Sequence, residues 1–364
     1  MTVLAAASLL LLAQDAATVP RHTPIQAQAT KARLDGRLDE AVLAYKRALQ
    51  ASPGWSEGWY FLGTIHYEND RPRECADSFA RFVTLAPKVS AGHALLGLCL
   101  YRLKQYPAAL SALNQAERIG LPQDDTLTNV ASFHAALLYT KEANFEKALK
   151  ILGFFSRGAT IDPKVIELTG IAALRRPIFP EELPATDREI VYRVGRAVMT
   201  AGARRTAEAS KMLEELVQDF PKDAAVHFVY GTLLLGGDTE QALRELEEVV
   251  RLQPDHLPAH VVMGLEYLRQ SRFAEARARG EAAVKLAPGN FTARTVLGRA
   301  LVEGDLDVPA GLLELETAVR LEPGSPQVRI ALASAYAKAG RREDAAKQRA
   351  EFLRLRKELE GAAP

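Results

Sequence analysis

Helix-stopping prolines recur along this chain at an almost constant interval of 34 residues, longer than any spacing a single helix or strand can generate. Pro53 and Pro87 stand 34 apart, and Pro221, Pro254, Pro288 and Pro323 step by 33, 34 and 35. Other residues keep the same register: Gly63 to Gly97, Ala41 to Cys75, Cys75 to Ala109 and Gly264 to Gly298 are each 34 apart. Within every unit the apolar residues return at three- and four-residue intervals over two runs, the period of an amphipathic helix. One such helical pair is too small to bury its apolar stripe alone and must stack on its neighbours. The pattern therefore predicts an all-α fold, an α-solenoid of tandem antiparallel helical hairpins.

That reading gives the recurring residues physical tasks. Glycines 63, 97, 264 and 298 fall on the first helix of a hairpin, where the second helix passes close. Ala41, Cys75, Ala109, Ala148, Ala209, Ala242, Ala276 and Ala345 supply the small reciprocal contact on the second helix, so bulk at either place overpacks the hairpin at a cost of ~1–3 kcal/mol. It also accommodates 364 residues without a large single core, since each repeat touches only its neighbours. With 46 basic and 45 acidic residues the net charge is +1, which argues against a general polyanion binder.

The order Trp59, Leu62, Gly63, His66, Cys75, Phe79, Pro87 follows the tetratricopeptide pattern W-x2-L-G-x2-Y…A-x3-F…P, with His66 in the Tyr place and Cys75 in the Ala place. Met263, Gly264, Tyr267, Ala276 and Pro288 follow it again, as do Leu332, Tyr336 and Ala345. The chain resembles tetratricopeptide-repeat proteins. The resemblance implies a right-handed superhelix whose first helices form a concave groove for an extended peptide or helix of a partner protein. Carried onto this sequence, the groove positions are Tyr60, Thr64, Tyr67, Leu98, Tyr101, Arg102, Phe133, Leu137 and Lys141. The alternative role of Tyr60, Tyr101 and Phe133 is to seal adjacent hairpins. The family's Lys/Asn carboxylate clamp has no match, because Gln26, Tyr60 and Ala94 stand where its leading lysine is sought.

Hairpins are predicted near residues 22–53, 56–87, 90–121, 129–160, 190–221, 223–254, 257–288, 291–323 and 326–353, with one further helix between Pro163 and Arg175. Three prolines, Pro177, Pro180 and Pro184, forbid a regular helix over residues 176–189. The segment reads either as a loop or hinge between an N-terminal block (22–175) and a C-terminal block (190–360), or as an insertion in one continuous array. The final helix is rich in charge and carries Arg349 where a large apolar residue usually sits, as a solubilising cap requires.

Residues 1–21 form a separate hydrophobic segment. Thr2 to Ala13 is an uncharged run of signal-peptide length, so a secreted or periplasmic protein is expected. A hydrophobic N-terminal cap on a cytoplasmic solenoid and an uncleaved anchor are the other readings. The two cysteines, Cys75 and Cys99, fall on predicted helices and read first as small core residues, with one disulfide between neighbouring repeats as the alternative. His256 and His260 are spaced like metal ligands, but Pro258 places the first of them ahead of the helix, and packing explains them better. No phosphate loop, nucleophile elbow or zinc motif occurs. The expectation is a non-enzymatic protein-binding scaffold with no cofactor, no metal, no nucleic acid and no membrane span beyond residue 24. A solenoid enzyme or glycan-handling module of the cell envelope is the rival.

Overall fold

The computed structural model describes residues 24–122, 126–158 and 161–361, and every regular element among them is helical. The chain divides into two compact units, Met1–Gly195 and Arg196–Pro364. The first contains four hairpins: α1 (Pro24–Leu34) with α2 (Leu38–Ala51), α3 (Ser56–Glu68) with α4 (Pro72–Leu85), α5 (Ser90–Arg102) with α6 (Tyr106–Ile119), and α7 (Thr126–Lys141) with α8 (Phe145–Leu152). A lone helix α9 (Pro163–Ala173) follows, then the start of α10 (Arg188–Gly202). The second unit takes the end of α10 and α11 (Thr206–Asp219). It continues with the pairs α12 (Ala224–Leu234) and α13 (Thr239–Leu252), α14 (Leu257–Arg269) and α15 (Phe273–Leu286), α16 (Phe291–Glu303) and α17 (Val308–Leu321), and α18 (Pro326–Lys338) and α19 (Arg342–Gly361). Within each unit the helices pack on their sequence neighbours and first helices also meet first helices, as in α5 with α7 and α14 with α16. This is an α-solenoid.

Two kinds of turn alternate, for different reasons. Between hairpins, a proline stands two residues beyond the last helical residue, as Pro53 follows Ala51 and Pro254 follows Leu252; lacking an N–H, it cannot extend the helix. Inside every described hairpin but α12–α13, the first helix ends on a residue in the left-handed region: Gly36, Asp70, Lys104, Ala143, Arg204, Ser271, Asp305 and Gly340. The residue after it returns its N–H to a carbonyl in the last turn, as Arg71 does to His66 at 2.9 Å and Asn144 to Tyr139 at 2.8 Å. Only glycine reaches this conformation without steric cost. Ala143 is exposed with φ of 58°, so Ala143→Gly should raise stability by about 0.5–1 kcal/mol, read as a higher urea midpoint.

The small residues assigned to the second helices are buried: Ala41, Cys75, Ala109, Ala148, Ala209, Ala242 and Ala276 are fully covered and Ala345 nearly so. Gly63 faces Phe79, Gly97 faces Leu113 and Gly298 faces Leu315, each on the second helix of its own hairpin. Gly264 departs from the expectation: a Cβ there would lie 2.5 Å from Cγ1 of Val296, on the first helix of the next hairpin. Its absent side chain serves stacking between repeats. Arg349 is exposed on α19.

The proline-rich stretch is folded. It makes two short 3-10 turns, Pro180–Glu182 and Ala185–Asp187, and buries Phe179 and Leu183. The division between the compact units falls later, inside α10. Cys75 on α4 and Cys99 on α5 are both fully buried and joined as a disulfide, with their Cα atoms 5.9 Å apart. The first reading, two unpaired core cysteines, is replaced by its alternative: neighbouring repeats bring the two positions together. Residues 1–23, which hold the hydrophobic N-terminal run, lie outside the described residues. Among the described residues no helix is long and apolar enough to cross a membrane.

Candidate functional site

Seven turns between repeats share one hydrogen bond. The side chain six residues after the proline reaches back to that proline's carbonyl: Trp59 to Pro53 (2.9 Å), His93 to Pro87 (3.0 Å), Thr128 to Pro122 (2.7 Å), His227 to Pro221 (3.1 Å), His260 to Pro254 (2.9 Å), Arg294 to Pro288 (2.7 Å) and Arg329 to Pro323 (3.2 Å). Helical side chains lean toward the N-terminus, so a donor in the second turn can satisfy a carbonyl the preceding turn leaves open. Because Trp, His, Thr and Arg all serve, a scan by residue type misses the pattern. The histidine pair is thereby explained: His260 bonds Pro254, and His256 starts α14 by accepting the N–H of Ala259 at 3.1 Å.

Two of the imidazoles respond to pH in opposite directions. His227 also donates to the Glu245 carboxylate at 2.7 Å. Burial, the largest influence, opposes its protonation, but the bonds to Glu245 and Pro221 and the charges of Glu245 and Glu248 outweigh it and the pKa is raised. His66, on α3, is lowered by burial first and then by Lys46. A raised folded pKa adds stability that is complete below the unfolded value of about 6.5 and is lost as pH rises through the folded value; a lowered one costs stability as pH falls through the same unfolded range. Urea unfolding at pH 5.5 and 7.5 should therefore show His227→Gln costing more at the lower pH, and His66→Gln costing less there than at the higher. An equal cost of His227→Gln at both values would refute the charged pair.

A second repeated device carries a cation between hairpins. Two residues before the left-handed turn, Arg102 donates to the carbonyl of Tyr67 (3.0 Å) and to Asp70 (3.2 Å) of the preceding turn. Lys338 does the same to the carbonyl of Glu303 (3.1 Å) and to Asp305 (2.7 Å). Each cation neutralises the negative end of the previous first helix. Lys141 holds the equivalent place on α7, but the turn before it carries Lys104 in the acid's position. Lys141 turns instead to Glu182, bonding its two carboxylate oxygens at 2.7 and 3.0 Å.

Glu182 lies in the proline-rich segment, and around it the chain builds a compact site on α5, α6 and α7. The Phe179 ring centroid is 5.1 Å from that of Tyr106 and 6.4 Å, edge-on, from that of Tyr101, with the Lys141 ammonium 5.1 Å from its centre. His134 meets Tyr101 edge-on at 4.7 Å. Glu182 also accepts the N–H of Phe179 at 2.7 Å, and the bonds from Lys141 and then from this amide hold its carboxyl below the usual range. Burial first, then Glu181 and Tyr106, pushes the Tyr101 hydroxyl up to about 12. Burial lowers His134, whose Nδ1 donates to the carbonyl of Val130 at 2.8 Å, so it stands neutral against the ring.

The nine residues carried over from the family divide accordingly. Tyr60, Leu98 and Leu137 are buried and present no surface to a partner; Tyr60 packs edge-on against Phe79 and Phe82 of α4. All three face inward in this structure. Thr64, Tyr67, Tyr101, Phe133 and Lys141 are half-buried and Arg102 is exposed, its guanidinium 4.3 Å from the centre of the Tyr67 ring. Tyr101 and Lys141 are brought together under Phe179. Sequence reasoning missed Tyr106, His134, Phe179 and Glu182. The available signal was three large apolar residues, Ile178, Phe179 and Leu183, in a stretch read as a loop, hinge or insertion.

Stacked hairpins with interlocking turns define a repeat protein of the α-solenoid class. A family model described as tetratricopeptide repeat matches residues 201–256 and 261–308, and one described as anaphase-promoting complex, cyclosome, subunit 3, matches residues 35–116. The chain belongs to the tetratricopeptide-repeat proteins. No curated protein matches it. Solved structures similar to it include a MamA fragment from Desulfovibrio magneticus RS-1, 23% identical, covering 46% of this chain and 94% of that one with a TM-score of 0.42. A MamA double mutant is 22% identical over 46% of this chain and 95% of that one, TM-score 0.43. The APC/C hetero-tetramer Cut9–Hcn1 is 12% identical over 95% of this chain and 88% of that one, TM-score 0.40.

Proposed function

We propose that this repeat scaffold is non-enzymatic and holds segments of partner proteins against the first-helix face of its first unit, in an oxidising compartment outside the cytoplasm. The observation that carries the reading is that α5–α7 hold a proline-bearing stretch with no α-helix, folded in short 3-10 turns, through an aromatic ring and a carboxylate, groups a solenoid can use to grip a partner's peptide. Partly exposed Tyr67, Arg102 and Phe133 extend that face. Export is supported by the uncharged run Thr2–Ala13 and by the buried Cys75–Cys99 pair, since disulfides persist mainly in oxidising compartments.

Cross-linking and affinity capture from the native organism, with purified partners then titrated onto wild type and Tyr67→Ala/Phe133→Ala, tests the binding reading. Specific partners that bind wild type and weaken with the variant support it; partners indifferent to the variant move the function off this face. Intact mass of the native protein tests export. Loss of about the first 13–17 residues is expected, and a full-length chain with two free thiols would sink that part of the proposal.

A further inference from the structure

The segment between α9 and α10 stands where a second helix should begin. The last turn of α9 closes as the other first helices do: Arg175 is left-handed with φ of 56°, and Arg176 donates its N–H to the carbonyl of Ile171 at 3.0 Å. Elsewhere the second helix starts at once. Here Pro177 and Pro180 prevent it, and the chain passes through an extended Phe179 and a 3-10 turn, Pro180–Glu182, to reach α5–α7, more than 40 residues back in sequence from Glu182 to Lys141. What it finds there is a surface whose cation has no acid of its own. Arg102 and Lys338 are satisfied by the turn before them, whereas Lys104 withholds that partner from Lys141. The surface thus pairs a ring-lined seat with a cation that needs a carboxylate from outside the repeat array.

We propose that the face formed by Tyr101, Tyr106, His134 and Lys141 is a receptor for a protein segment bearing an aromatic residue and, three residues later, a carboxylate. Phe179 and Glu182 are its resident occupant, and a partner segment of the same chemistry takes their place. The contact is autoinhibitory. A tethered occupant competes at a high effective concentration, so a free peptide sees its affinity reduced by the fraction of molecules in which the seat is open. This deepens the scaffold reading and rests on it, by naming the partner's chemistry and how access to the face is regulated.

The test uses the full chain and a fluorescein-labelled peptide of residues 176–187, RPIFPEELPATD, followed by fluorescence polarisation. Phe179→Ala/Glu182→Gln should empty the seat and bind the peptide at least about tenfold more tightly than wild type. Adding Lys141→Ala to that variant should remove the gain. A folded double variant, with wild-type helicity by circular dichroism, that binds no better than wild type overturns the proposal and leaves the segment a structural strut. Should the double variant lose helicity, hydrogen exchange on wild type decides: excess peptide is expected to speed exchange of the Phe179 N–H, and unchanged exchange at saturating peptide overturns it. Failure here leaves partner binding through Tyr67 and Phe133 intact, so the two readings are separable.

Discussion

Replacing Gly170 by alanine should destabilise the first unit by about 3 kcal/mol, at the upper end of what overpacking usually costs. Gly170 on α9 and Gly195 on α10 face one another's helix backbones: a Cβ on the first would overlap the carbonyl oxygen of Val191, and one on the second the carbonyl oxygen of Ile166. Gly63 offers the contrast, because the atoms nearest a Cβ there belong to the Phe79 side chain and not to a helix backbone. A carbonyl in a helix cannot move without moving the helix. Gly195→Ala should therefore cost as much as Gly170→Ala. Gly153→Ala, with nothing within 4 Å of the added methyl, should cost nothing. Unfolding in repeat arrays need not be all-or-none. The loss should be read from hydrogen-exchange protection of α9 alongside the urea transition. Wild-type protection of α9 in Gly170→Ala would show that the two helices do not cross at this distance.

Opening the Cys75–Cys99 disulfide should cost the first unit roughly 3 kcal/mol, the loop-closure value for a sequence separation of 24. The bond links α4 to α5, and so ties the second hairpin to the third where a solenoid can otherwise open one repeat at a time. Reduction should lower the urea midpoint of the first unit. Cys75→Ala/Cys99→Ala should do the same and become insensitive to reductant. Both side chains are fully buried, so a small-molecule thiol is expected to reduce them only through local opening. A native chain that alkylates at both cysteines without reductant, and melts as the reduced protein does, would show that the pair is not bonded in the cell.

Much of this structure was legible because repetition multiplies weak signals. The positions of Ala41, Cys75, Ala109, Ala148, Ala209, Ala242, Ala276 and Ala345 could be assigned from spacing, and all eight are buried. Spacing cannot say which helix a small residue faces. Gly264 sits in the same register as Gly63 yet meets Val296 of the next hairpin, because the direction of close approach depends on how successive hairpins rotate. Nor can spacing say which first-helix residues stay exposed. Tyr60 and Phe133 hold equivalent places on α3 and α7, but Tyr60 finds Phe79 and Phe82 beneath it and is buried, while Phe133 stays partly exposed.

The sequence by itself determined the secondary structure, the hairpin register and the class of protein, since proline stops, helical periodicity and small-residue positions are local properties repeated some nine times. Tertiary structure alone decided what touches what across repeats. It brought Cys75 to Cys99, set Gly170 against Val191, and laid Phe179 and Glu182 over Tyr106 and Lys141. A proline-rich stretch has no period from which its destination could be read; it rests where a buried ring and an unclaimed cation lower its free energy, and that place exists only once the repeats have stacked.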